Sequence, residues 1–354
     1  MHPNPIVLMT AVELSQAIRD RKVSCREVMN AYLDHIEALN PTVNAIVSLR
    51  DRAELLAEAD AADARLERGE YAGWMHGFPH AVKDLAATQG LRTTFGSPIL
   101  QDFIPPEDAI LVDRLRRSGA IIIGKTNTSE FGLGSQTYNN VFGTTLNAYD
   151  ATKSAGGSSG GTAAALAMRL LPVADGSDMS GSLRNPAAFN NVFGMRPSQG
   201  RVPFGPANEV FVQQLGYEGP MARTVTDLSM LLAVMAGYDD RAPLSIEQDP
   251  NRFRESLKGD VLGIRICWLG DLGGYLAMEP GISSCAAPRL PQCSRTVAWS
   301  KRLRSGSIRR ACGNAGACTD TGWPVAGCSP TIETPPPAIC SSLRRNGRWS
   351  RACG

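Results

Sequence analysis

The sequence predicts an α/β protein with a buried sheet. Helical and strand-like patterns alternate along most of its 354 residues, and 43% of the side chains are hydrophobic against 20% charged. That length allows one large α/β unit or two modest domains. Thr10-Ala11-Val12-Glu13 and Ser24-Cys25-Arg26-Glu27 are capping boxes, each opening a helical pattern. Leu14 and Ile18, then Val28, Tyr32, Ile36 and Leu39, fall at helical spacing, and Asn40-Pro41 is expected to stop the second helix. A helical pair over 10–40 results. Residues 44–49 read as a strand, 51–68 as an Ala- and Glu-rich helix closed by Gly69, and 107–117 as a helix leading into the strand 120–123. Residues 162–170 read as an Ala-rich helix, 172–175 as a short strand, and 224–236 as a helix followed by Gly237 at C′.

Charge divides the chain near Gly281. Residues 282–354 hold eleven Lys and Arg against two acids, a net +9, while the rest holds 25 basic against 32 acidic residues, a net −7. Seven of the nine cysteines lie in that tail, and no Phe or Tyr does. Its apolar residues show neither the helical nor the strand period. A disulfide-rich or zinc module is the competing explanation, yet the tail has no C-x-x-C pair, no His, and an odd number of cysteines. The excess of Arg, Ser, Pro, Cys, Gly and Trp is that of a G+C-rich gene read out of frame, so 1–281 is expected to be the folding domain, with a core over 70–240. Upstream, no apolar run reaches membrane-spanning length and the N-terminus lacks a secretory pattern, which makes a cytoplasmic location the expectation.

Several motifs mislead. Gly119 to Thr126 fits the P-loop expression around Lys125, but three isoleucines fill the space where a flexible glycine-rich backbone would wrap phosphate. His76 and His80 stand apart like some metal-ligand pairs, yet Gly77 and Pro79 deny them a helix and no partner set is evident, so both read as ordinary loop histidines. Two G-x-S-x-G matches centre on Ser158 and Ser159. With every histidine at or before position 80, the Ser…Asp…His order of hydrolases with a nucleophile elbow is impossible.

What remains is Gly156-Gly157-Ser158-Ser159-Gly160-Gly161, an Ala-rich helix, and Gly176-Ser177-Asp178-Met179-Ser180-Gly181-Ser182-Leu183-Arg184-Asn185-Pro186. Tight turns alone would account for the glycines. A serine ahead of a helix start can also aim its hydroxyl at a carbonyl while neighbouring N–H groups receive the oxyanion. With histidine excluded, Lys83, set after a short apolar run, is a candidate base, because burial favours its neutral amine.

At these residues the chain resembles the amidase signature family, whose hallmark is a Ser-Ser-Lys triad. The Gly/Ser stretch from Gly156 to Ala187 fits nearly throughout, the spacings of Lys83, Ser158 and Ser182 agree, and the similarity runs from the N-terminal helices to about Pro280. One departure is Ser180, where the family usually has Gly. The resemblance implies a single large α/β domain with a mixed central sheet covered by helices on both faces, completed by a C-terminal region that the tail does not supply. It implies an amidase that forms an acyl-enzyme on Ser182, with Ser158 as proton relay on a cis Gly157–Ser158 peptide and Lys83 as base. Backbone N–H groups of Met179, Ser180, Gly181 and Ser182 would form the oxyanion hole. A small-molecule amide is the implied substrate, with no metal, cofactor, nucleic acid or membrane, and a homodimer stays open. The alternatives are the glutaminase component (the A chain) of a tRNA-dependent amidotransferase, a triad-bearing inactive member, and, from another class, a nucleotide-binding protein using Lys125.

If the tail is read out of frame, the 354-residue product lacks cover for its sheet and is expected to be poorly soluble and inactive. Translating the gene in another frame after about codon 281 should then restore helical periodicity, Phe, Tyr and acidic residues. An absence of any open, periodic continuation in both alternative frames would make the tail a genuine module.

Overall fold

A computed structural model describes residues 3–206, 215–259, 265–266, 278–282 and 298–299. The chain divides into two units, Met1–Leu257 and Lys258–Gly354, a boundary that falls ahead of the composition shift. Of the segment expected to be out of frame, only Ile282, Ala298 and Trp299 are among the described residues.

The first unit opens with helices α1 (Pro5–Leu8), α2 (Ala11–Arg19) and α3 (Cys25–Val43). Both expected capping boxes form: the Thr10 hydroxyl accepts the Glu13 N–H at 3.2 Å while the Glu13 carboxylate accepts the Thr10 N–H at 2.8 Å, and Ser24 and Glu27 repeat the exchange. Leu14, Ile18, Val28, Tyr32 and Ile36 are buried, as their spacing requires. Pro41 does not stop α3. The helix runs on to Val43, and ends where Asn44 turns left-handed at φ +51 and donates its N–H to the Asn40 carbonyl. A proline in the last turn removes a single donor, and Asn40 Oδ1 gathers the next two N–H groups, Ala45 and Ile46, into the following strand.

That strand, β1 (Ile46–Val47), is shorter than the expected 44–49, and α4 (Arg52–Glu67) follows, closed by Gly69 at φ +82. Asp63 of α4 accepts the N–H groups of Cys25 and Arg26, so one carboxylate satisfies the first turn of α3 and fixes the two helices together. Next come β2 (Pro79–Lys83), α5 (Ile110–Arg117) and β3 (Ile121–Thr126), then a short hairpin of β4 (Tyr138–Asn139) and β5 (Gly143–Thr144). Strand β3 lies between β1, antiparallel to it, and β2, parallel to it. Helix α6 (Gly160–Ala167), β6 (Ala174–Asp178), α7 (Arg184–Phe189), β7 (Phe193–Gly194), β8 (Tyr217–Ala222) and α8 (Val225–Met235) complete the unit. Strand β8 pairs antiparallel with both β6 and β7.

The fold is therefore α/β with mixed strand directions, as the sequence implied, but its hydrogen-bond ladder is broken between β2 and β6. A side chain bridges the break: Asp175 of β6 accepts the backbone N–H of Lys83 at 3.1 Å and holds His80 Nε2 at 2.9 Å. His80 is thus a buried strand residue with a carboxylate partner rather than a loop histidine. Strand β6 also lies later than the expected 172–175, because Gly176, Ser177 and Asp178, poor strand formers, pair with β8 and meet polar partners there. In the second unit, β9 (Arg265–Ile266) pairs parallel with β10 (Ala298–Trp299). No helix among the described residues is long and apolar enough to cross a membrane.

Helix α6 packs against strands of both sheets, and every residue from Gly160 to Leu166 is buried. Its N-terminal turn docks on backbone: Gly161 donates to the Asn127 carbonyl at 3.1 Å, and a Cβ on Gly161 would overlap Asn127 and the Ala45 carbonyl. Gly161→Ala gains about 1 kcal/mol of helix propensity but forces backbone apart. A net destabilisation of about 1–3 kcal/mol is expected, measured by denaturant titration against the parent.

Candidate active site

Lys83 ends β2, where all five residues are buried, and is itself 1% exposed. Its Nζ lies 2.7 Å from Ser158 Oγ, 2.8 Å from Ser159 Oγ and 2.9 Å from Ser177 Oγ. Burial withdraws the amine from water and pulls its pKa down to about 7, while the fields of Asp175, Asp178 and Glu218 oppose that fall. Three hydroxyls around one nitrogen can hold either form, since a hydroxyl accepts from the ammonium or donates to the lone pair of the amine.

The three hydroxyls are not equivalent. Ser159 donates to the Ser177 carbonyl at 3.2 Å, so its proton is already engaged, and it caps no helix amide despite preceding α6. Ser158 follows a cis Gly157–Ser158 peptide, is 1% exposed, and has its carbonyl held by the Thr137 hydroxyl. It lines a cavity of about 430 Å³ that Lys83, Ser177 and Ser182 also line. Ser182 stands across the turn after β6; its carbonyl accepts the Ser159 N–H at 3.2 Å, which joins the two serine-bearing turns. The sequence-derived trio of Lys83, Ser158 and Ser182 is thus gathered on one cavity, although the three residues are far apart in the chain.

The turn carrying Ser182 is clamped by Asp178. Its carboxylate accepts the Gly181 N–H at 2.7 Å, the Leu183 N–H at 3.1 Å, and two N–H groups of Arg184 at 3.0 and 3.1 Å. Burial works to raise its pKa, but the Arg184 hydrogen bonds and the two amides prevail and hold it below the usual carboxylate range. Of the four amides expected to face an oxyanion, that of Gly181 already has an acceptor, whereas those of Met179, Ser180 and Ser182 have none among the described residues. Gly181 takes the left-handed φ of +128, while Ser180 does not lie in that region, so serine fits there without backbone strain.

Sequence reasoning missed Ser159, Ser177, Asp175 and Glu218. The first two were visible inside the Gly/Ser turns, but nothing local distinguishes a lysine-facing serine from a turn serine. The apolar walls come from Leu85, Phe95, Phe131, Phe204 and Leu215. The rejected P-loop match stays apart from this constellation. Lys125 is buried within β3 and donates to the Ala86 carbonyl and the Thr88 hydroxyl; burial lowers its pKa to about 8 against the opposing field of Asp84. A fully buried strand through Gly124 leaves no phosphate cradle there. His76 bonds the Ala72 N–H and the Ala62 carbonyl, and His35 the Met168 carbonyl, so no described histidine bonds a serine.

The chain is similar to known proteins along most of its length. A family profile described as Amidase matches residues 27–288. The A chain of the glutamyl-tRNA(Gln) amidotransferase of Acidothermus cellulolyticus is 43% identical over 279 residues, covering 78% of this chain and 54% of that one. An acylamidase of Rhodococcus erythropolis is 41% identical over 265 residues, covering 75% and 55%. Among solved structures, a bacterial aryl acylamidase superposes with a TM-score of 0.77 at 29% identity, covering 92% of this chain and 70% of that one. The chain spans about half the length of the curated relatives it matches.

The buried amine gives a measurement independent of catalysis. Nuclear magnetic resonance of a chain labelled on its lysine side chains should show one Nζ titrating near pH 7, absent in Lys83→Met. A Lys83 that stays protonated up to the ordinary lysine range would contradict the burial argument.

Proposed function

Because the chain belongs to the amidase family, we propose that it hydrolyses a carboxylic amide to the acid and ammonia or an amine through an acyl-enzyme on Ser182. The observation that carries this reading is the contact of a buried, easily neutralised Lys83 amine with the Ser158 hydroxyl, on the wall of the cavity that Ser182 shares. Neutral Lys83 takes the Ser158 proton as Ser158 takes that of Ser182, and Ser182 Oγ bonds to the amide carbon. The unengaged amides of Met179, Ser180 and Ser182 are the donors available to the oxyanion, with Gly181 serving instead to shape the turn through Asp178. As the tetrahedral intermediate collapses, the C–N bond breaks and the proton held on Lys83 passes back through Ser158 to the departing nitrogen. Water then attacks the acyl carbon, loses a proton to the same relay, and frees Ser182 with the carboxylic acid.

Two relatives of nearly equal identity, an acylamidase and the A chain of an amidotransferase, represent the competing substrates. The apolar side chains of Leu85, Phe95, Phe131, Phe204 and Leu215 on the cavity wall suit the acylamidase reading.

In a folded enzyme, with the frame corrected after codon 281 if the tail proves to be out of frame, Ser182→Ala and Lys83→Ala should each lower amide hydrolysis by several orders of magnitude, with Ser158→Ala also severe, because groups acting as a unit fail together. A fluorophosphonate should label Ser182 in the parent chain and not in Ser182→Ala. Since the neutral amine is the reactive form, kcat/KM should rise as pH passes through about 7. Parental activity in Lys83→Ala would overturn the assignment, and an unlabelled Ser182 in a folded chain would point to an inactive member.

A further inference from the structure

The cavity contains a carboxyl group that the cleavage steps leave unused. Glu218 lies on β8 directly opposite Ser177 of β6, and opposed residues of an antiparallel pair project from the same face of the sheet. It therefore faces the side that Ser177 shares with Lys83. Glu218 is 6% exposed, lines the cavity, and its Oε2 is fully buried with no hydrogen-bond partner among the described residues. Native interiors seldom leave such an atom unpaired, and one that borders a substrate-sized cavity has its natural partner in whatever fills it.

The surroundings indicate the chemistry of that partner. Among the described residues lining the cavity, Asp175, Asp178 and Glu218 stand against one amine, that of Lys83. Asp175 is held by His80 and Asp178 by Arg184, so among the described residues Glu218 is the cavity acid left with an unpartnered oxygen. Lys83 supplies it with a positive field while protonated and withdraws that field on becoming the neutral base. Phe95, Phe131 and Phe204 provide ring faces on the same walls, and rings beside a carboxyl favour a cation. Burial, followed by the Asp175 field, raises the Glu218 pKa to about 8, so a bound cation is what turns this carboxyl into a carboxylate near neutrality.

We infer that Glu218 receives a protonated amino group of the substrate, so that the cavity selects amides bearing a basic amine. The inference rests on the amide-hydrolase reading for the word substrate, but it is tested by binding alone. The full chain carrying Ser182→Ala is titrated calorimetrically at neutral pH with 5-aminopentanamide and with hexanamide, in which a methyl replaces the ammonium. The ammonium amide should bind about 10- to 100-fold more tightly, the range of a charge-assisted hydrogen bond. Adding Glu218→Gln should remove that advantage by weakening the ammonium amide while leaving hexanamide unchanged. Equal affinities before that substitution, no measurable binding of the ammonium amide, or an advantage that survives Glu218→Gln would each overturn the inference. So would equally tight binding of 5-hydroxypentanamide, which would assign Glu218 to a neutral donor. Failure of the fluorophosphonate to label Ser182 in the parent would instead count against hydrolysis and leave the binding result to stand.

Discussion

Taking the Lys83 amine out of water is the constraint from which the arrangement of the sheet, the glycine-rich turns and the cavity follows. A buried ammonium is costly unless polar groups converge on it. Here they come from two separate stretches of chain: Ser158 and Ser159 before α6, and Ser177 near the end of β6. For both stretches to reach one nitrogen, α6 must pack close against both sheets. Glycines at 160 and 161 and alanines along the helix permit that approach. Asp175 completes the arrangement from the other side. By accepting the Lys83 backbone N–H it replaces the missing ladder between β2 and β6, and its charge keeps the amine from losing its proton too easily.

The same economy appears at Asp178, whose carboxylate performs two tasks. Half of its bonds fix the amides of Gly181 and Leu183, and the other half recruit Arg184, whose side chain is about half exposed. Solvent weakens the Coulomb attraction of such a pair, so the amide bonds are the more durable part of the clamp. A turn held from inside by a carboxylate can leave its outward amides unpaired, which is the condition an oxyanion site requires.

Helices were the most legible part of the fold. Their caps and spacings are local, and Thr10, Ser24, Leu14 and Tyr32 take the predicted places. Pro41 was misleading, because in a last turn it removes one bond and the rest of the turn survives. The polar end of β6 was illegible for a different reason: Gly, Ser and Asp have weak strand preference, and contacts with Lys83 and Arg184, set by tertiary packing, override it. On the cavity, Ser158 and Ser182 were readable through the long Gly/Ser pattern, and Lys83 through its apolar run and its spacing from them. Asp175 and His80 were not, since their pairing joins positions 95 apart and neither sits in a motif. Glu218 had no signal at all in the chain. A glutamate in a strand reads as solvent-facing until the opposite strand shows that its face is buried.

Glu218 also bears on how the base stays neutral. An ionised Glu218 raises the Lys83 pKa, and an ionised Lys83 lowers that of Glu218, so each charge favours the other. In an empty cavity, deprotonating Lys83 therefore removes a positive field from Glu218 and favours its protonation as well. A cationic group seated on Glu218 would ionise the carboxyl and offset its charge together, so the added carboxylate would contribute little to the field that holds a proton on Lys83. Under the proposed reading, a ligand that satisfies the orphaned carboxyl would therefore leave the amine about as easily neutralised as it is beside the protonated acid.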